Sequence, residues 1–142
     1  MNIESNSFEA SIDSLEPIRD FISEKAISAG LNKKKNYGLN LAIDEIATNI
    51  IRYGYPAVNI SDGKITVIIS VENNQLKVML EDTALAFDPM QHLLPTDDDI
   101  NKPLEERPIG GLGIMLARQN VDKFEYEFIE GKNRNIFINN IT

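Results

Sequence analysis

Two runs of alternating apolar residues stand only two residues apart, and that spacing restricts the fold more than any other feature of the chain. Lys64 to Glu72 carries Ile65, Val67, Ile69 and Val71 on one face, and Gln75–Asp82 carries Leu76, Val78 and Leu80 in the same alternation. A link as short as Asn73-Asn74 cannot make a parallel crossover, so the pair predicts an antiparallel β-hairpin. The segment before it has helical period instead. Ser14-Leu-Glu-Pro-Ile opens one helix, with Ser14 as N-cap and Pro17 in the first turn. Ile18, Phe21, Ile22 and Ala26 form its apolar stripe, and Gly30 closes it. A second helix runs from about Asn32 to Tyr53, with Leu39, Ala42, Ile43, Ile46, Ala47 and Ile50 on its buried face. Gly38 is a mild cost within it, and Gly54-Tyr55-Pro56 stops it.

The remaining segments complete the architecture. Ser7 to Asp13 alternates and reads as a short strand ahead of the helices, and Ser61-Asp62-Gly63 is a turn. Pro89 to Ile109 has no sustained periodicity and contains Asp97-Asp98-Asp99, the pattern of a long functional lid. Gly110 to Asn120 predicts a short helix. Lys123–Glu130 and Asn135–Ile141 predict a final hairpin around Gly131-Lys132-Asn133. No repeat or linker interrupts residues 1–142, which read as a single domain. The element order β-α-α-β-β-loop-α-β-β gives an α+β class, a two-layer α/β sandwich. Its sheet is expected to be mixed and mostly antiparallel, with helices on one face. It is not doubly wound, because the βαβ alternation is missing.

Composition narrows the function. A chain of 142 residues with 42% apolar and 25% charged residues can bury a core without staples. It has no cysteine, which excludes thiolate metal sites. A net charge of -8 argues against direct binding of nucleic acid, and Lys33-Lys34-Lys35 reads as a solvated helix start. No apolar run approaches the ~20 residues that cross a bilayer, and the first residues do not form a signal peptide. A cytoplasmic protein without a membrane partner is the expectation.

Three polar constellations stand out. Glu45 and Asn49 lie four apart on one helix face, at the border of its apolar stripe, with Arg52 on the same side. Such a pair is either a solvated i,i+4 contact or a base beside an uncharged magnesium ligand. Asp82 closes a strand, where its carboxylate either bonds its own turn or accepts from an exocyclic amine. Gly110-Gly111-Leu112-Gly113 precedes a helix, where backbone N–H groups and the helix dipole suit phosphate, and Arg107 stands just before it. His92 has no triad partners nearby and reads as incidental.

In this order, Glu45-x-x-x-Asn49, Asp82, a long lid and Gly111-x-Gly113 resemble the N, G1 and G2 boxes of the GHKL ATPases, the Bergerat or histidine kinase-like fold. Leu41 to Pro56, Phe87-Asp88-Pro89, Gly110 to Arg118, Val121-Asp122 and Tyr126 to Asn135 are similar to the anti-sigma-factor serine kinases of the RsbW/SpoIIAB type. The resemblance implies Glu45 as general base, Asn49 as Mg2+ ligand and Asp82 as the adenine-binding carboxylate. It implies Gly110, Gly111, Leu112 and Gly113 as the phosphate loop, and Arg107 as a lid contact to the γ-phosphate. ATP with Mg2+ is the implied cofactor pair. The implied activity is phosphorylation of a STAS-type anti-anti-sigma protein by a kinase that also holds a sigma factor. A homodimer is implied too, with Arg19 on the first helix placed for partner contact.

One departure matters. The family's G1 box reads Asp-x-Gly-x-Gly, whereas this chain has Asp82-Thr83-Ala84-Leu85-Ala86. If the glycines only make room, one methyl each narrows the base pocket; if they hold positive φ, the loop must reshape. The alternative function is therefore a GHKL-fold binding module that sequesters a sigma factor or other partner without turnover.

Overall fold

The computed structural model describes residues 2–88 and 119–142. Strand β1 (Asn2–Glu9) is followed by helices α1 (Leu15–Ala29) and α2 (Lys33–Asn49), then strands β2 (Lys64–Glu72), β3 (Gln75–Asp82), β4 (Lys123–Ile129) and β5 (Lys132–Asn140). The strands form one sheet in the order β1-β2-β3-β5-β4, every pair antiparallel. The expected mixed sheet is thus corrected among the described residues. β3 and β4 run in the same direction, but the final hairpin inserts β5 between them, so no parallel neighbours arise.

The central hairpin forms as expected. Asn73 and Asn74 both have positive φ, 53° and 62°, as a two-residue primed turn requires. The last hairpin turns at Glu130-Gly131, with φ of 54° and 78°, rather than around Gly131-Lys132-Asn133. The same two-residue geometry lets β5 begin at Lys132, three residues before the expected Asn135. β1 also differs from expectation. It occupies residues 2–9 as an edge strand in register with β2, and ends where Ser11 turns into a cap.

That cap replaces the one expected at Ser14. Ser11 has the extended backbone of an N-cap and its hydroxyl accepts from the Asp13 amide at 3.2 Å, opening a 3-10 turn over Ile12–Ser14. Ser14 is already helical and its side chain makes no capping bond. α1 ends at Gly30, whose φ of 99° and the bond from Leu31 N–H to Ala26 C=O make a Schellman-type stop. In α2, Asn32 caps by accepting from the Lys35 amide at 2.8 Å. Of the lysine run, Lys35 reaches Asn140 C=O and Asp122, tying the helix start to the sheet. Gly38 leaves room for a neighbour: a Cβ there would stand 3.1 Å from Asn120.

α1 and α2 cover one sheet face. Ile18, Ile22 and Ala26 of α1 and the predicted stripe of α2 are buried against Ile65, Val67, Val78, Leu80 and Phe137. Phe21 is only partly buried, at the edge of this core and tilted against Phe8. Arg19 pairs with Asp44 across the two helices at 2.7 Å. No described helix is long and apolar enough to cross a membrane.

Candidate functional site

α2 does not continue smoothly to Tyr53. After Asn49 the chain widens into a π-helical turn, Ile50–Gly54, closed by Tyr55 N–H to Ile50 C=O at 3.1 Å. Tyr55 anchors this bend: its ring packs on Gly63, where a Cβ would come within 2.5 Å, and its hydroxyl donates to Lys64 C=O and accepts from the Thr83 amide. The widened turn forms one wall of an apolar cavity of about 140 Å³. Ile46, Asn49, Ile50 and Tyr53 line it from α2 and its end, Asp82, Ala84, Leu85 and Phe87 from the β3 exit, and Asn133 and Asn135 from β5.

Asp82 is the charged group of this cavity and is only 3% exposed. Its Oδ1 accepts from the Ala84 amide and from Asn133 Nδ2, both at 2.9 Å. Its Oδ2 is buried with no hydrogen-bond partner among the described residues. The carboxylate thus bonds its own turn with one oxygen and keeps the other in reserve. Burial pushes its pKa up, against the bonds from Asn133 and Ala84 that favour the charged form. Asp82 also borders a wider, polar hollow of about 440 Å³ beside Tyr55, Lys64 and Lys132. The smaller cavity is the better ligand site because its walls are apolar and Asn49 stands on it.

The alanines of the G1 segment adopt ordinary backbone: neither Ala84 nor Ala86 has positive φ. The Ala84 side chain is buried against Gly54, where a Cβ would lie 3.0 Å from the alanine methyl. Leu85 N–H bonds Gly54 C=O at 3.2 Å, so the two segments touch through backbone as well. A glycine at the end of the π-helical turn thus accommodates the Ala84 methyl.

The structure brings Asn49, Asp82 and Ala84 together. Glu45 lies one turn back on α2, half-buried, with its pKa raised by burial and then by neighbouring Asp44, but it does not line the cavity. Ala86 and Arg52 are exposed. Arg107, Gly110, Gly111, Leu112 and Gly113 lie outside the described residues, as do His92, Pro89 and Asp97–Asp99; of the expected helix, residues 119 and 120 are helical.

Asn133 and Asn135 were not singled out by the sequence reading. The signal was there: Asn133, Asn135 and Asn139 alternate with the outward residues of β5, and all three are buried. A polar residue at a core-facing strand position is more informative than an apolar one. Asn135 Oδ1, like Asp82 Oδ2, is buried without a partner among the described residues.

Two helices on a five-stranded antiparallel sheet, with a carboxylate at the base of a slot between them, define a GHKL-type ATPase fold. A family model for the histidine kinase-like ATPase domain matches residues 8–137, and the chain belongs to that family. It is similar to the serine-protein kinase RsbW of Bacillus cereus (strain ATCC 10987 / NRS 248), 31% identical over 94 residues, which is 66% of this chain and 57% of that protein. The serine-protein kinase RsbW of Bacillus anthracis (strain CDC 684 / NRRL 3495) is 30% identical over the same coverage of 66% and 57%. The alignment thus spans little over half the length of these relatives. Among solved structures, the RsbU and RsbW domains of Rv1364c from Mycobacterium tuberculosis match with a TM-score of 0.67 at 15% identity, over 98% of this chain and 32% of that one. The Acinetobacter baumannii histidine kinase AdeS matches with a TM-score of 0.51 at 13% identity, over 100% and 70%. These structural matches speak to the fold.

Proposed function

We propose that this chain is a serine/threonine-protein kinase that binds Mg-ATP, holds a sigma factor and phosphorylates a serine of a STAS-type anti-anti-sigma protein. The observation that carries the nucleotide half is the Asp82 Oδ2, buried without a donor among the described residues at an apolar cavity. A buried carboxylate oxygen left unpaired is costly, and an exocyclic amine such as that of adenine would supply the missing donor. The apolar walls suit a purine ring. The RsbW relatives support the serine-kinase half, and the sequence resemblance supplies the sigma and STAS partners.

Mg-ATP would supply the phosphoryl group and the charge that polarises it; the chain's contribution is positioning and electrostatics. Asn49, at the cavity edge, offers a carboxamide oxygen to magnesium. Magnesium retains waters and binds phosphate oxygens, so phosphate and water would be further ligands of the ion. Glu45, its proton affinity raised by burial, is suited to accept the serine hydroxyl proton. Arg107 and the Gly110–Gly113 run, including Gly111 and Leu112, would hold the phosphates.

Isothermal titration with Mg-ATP tests this reading. Asn49→Ala should weaken the magnesium-dependent affinity by roughly tenfold or more, on the scale of one lost ligand in the ion's shell. Absence of ATP and ADP binding at millimolar concentration would overturn the proposal.

A second reading, sequestration of a partner without turnover, draws on the two alanines and on Glu45 standing off the cavity lining. Phosphoserine on a cognate STAS protein after incubation with Mg-ATP eliminates it. Partner binding that ignores nucleotide and is unchanged in Glu45→Gln would establish it.

A further inference from the structure

Asn133 stands opposite Asp82 in the β3–β5 register and is 3% exposed. A carboxamide has two N–H donors and one carbonyl oxygen, and here they meet five groups. Nδ2 lies 2.9 Å from Asp82 Oδ1, 3.2 Å from Ala84 C=O and 3.1 Å from Leu85 C=O. Oδ1 accepts from the Phe87 amide at 3.3 Å and from the Tyr126 hydroxyl. Every residue from 82 to 87 that lines the cavity, namely Asp82, Ala84, Leu85 and Phe87, is therefore bonded to this one side chain.

We infer that Asn133 is a positioning residue for base recognition: it fixes the rotation of the Asp82 carboxylate, spends Oδ1, and so reserves Oδ2 for the ligand's amine. The inference rests on the nucleotide reading above and adds a residue to it. With both N–H donors of Asn133 and the Ala84 amide aimed at Oδ1 and its loop, rotating the carboxylate would exchange satisfied bonds for unsatisfied ones. The segment carries no positive φ, so its shape is held from outside by β5 and not by glycine conformations within it. Asn133 itself is not placed to touch the base amine, because its donors are consumed by the loop. Its effect passes through Asp82.

Two nucleotides separate this role from general support of the fold: ATP and purine riboside triphosphate, which lacks only the 6-amino group. Titration of the intact chain in Mg2+ should show ATP binding at least about tenfold tighter, the scale of one hydrogen bond to a buried charged group. In Asn133→Ala that ratio should fall towards one, with purine riboside triphosphate affinity changed less than about twofold, because the lost bond is the one Asp82 makes. Equal weakening of both nucleotides would show a merely structural residue and overturn the inference, and so would an unchanged ratio. Tyr126→Phe, which frees one side of the Asn133 oxygen without opening a cavity, gives a second reading if Asn133→Ala does not fold: a ratio reduced severalfold supports the inference and an intact ratio refutes it. Wild-type protein that binds neither nucleotide would instead defeat the ATP reading on which the inference stands.

Discussion

Asp82 shows how a single residue can oppose folding while, in the proposed function, it serves binding. Its folded-state pKa lies above the unfolded value, first because of burial. The ionised form therefore costs stability, a cost absent below the unfolded pKa and fully present once the pH has risen above the folded one. Asp82→Asn can keep both bonds at Oδ1 while removing the buried charge. Differential scanning calorimetry near neutral pH should show this variant melting higher, by an amount on the order of 1 kcal/mol or a few degrees. The gap should close as the pH falls through the raised Asp82 pKa, and a gap that widens in acid would refute the assignment. The same substitution should lower ATP affinity by at least about tenfold, since the carboxamide competes poorly for the amine. The aspartate was legible in the sequence as the end of a strand. What was not legible was the division of labour between its two oxygens, because that depends on Asn133, fifty-one positions away.

At the scale of elements, the contact between α2's end and the G1 segment decides how the alanines are tolerated. The periodicity of α2 was readable to its last buried residue, Ile50, and the strands of the central hairpin were readable to the residue. The π-helical turn was not, because nothing in a 3.6-residue pattern announces one extra residue per turn. Nor could the pairing of Gly54 with Ala84 be read, since it joins elements thirty positions apart. Gly54→Ala places two methyls 3.0 Å apart and should destabilise the chain by about 1–2 kcal/mol, as overpacking does. Ala84→Gly should restore much of that loss in the double variant. Denaturation midpoints of the four proteins in the cycle measure the coupling, and simple additivity would show that the contact is not the cause.

At the scale of the whole molecule, the two described helices cover one face of the sheet. Ile68, Met79 and Ile136 stand in one cross-strand row, and Ile136 is 7% exposed although it belongs to no part of the helix-side core. The layer architecture was legible because hydrophobic periodicity reports which faces are buried. Strand order was not, because periodicity is silent on whether the last hairpin joins the sheet by its first or its second strand. Insertion of β5 beside β3 has a kinetic consequence. The two hairpins are local and each closes across a two-residue turn, whereas the β3–β5 seam joins segments far apart in the chain. Loop closure of that size is paid late in folding. Asp82 and Asn133 face each other across this seam, so the proposed binding site has no existence in a half-assembled chain: it is completed by the same event that completes the sheet.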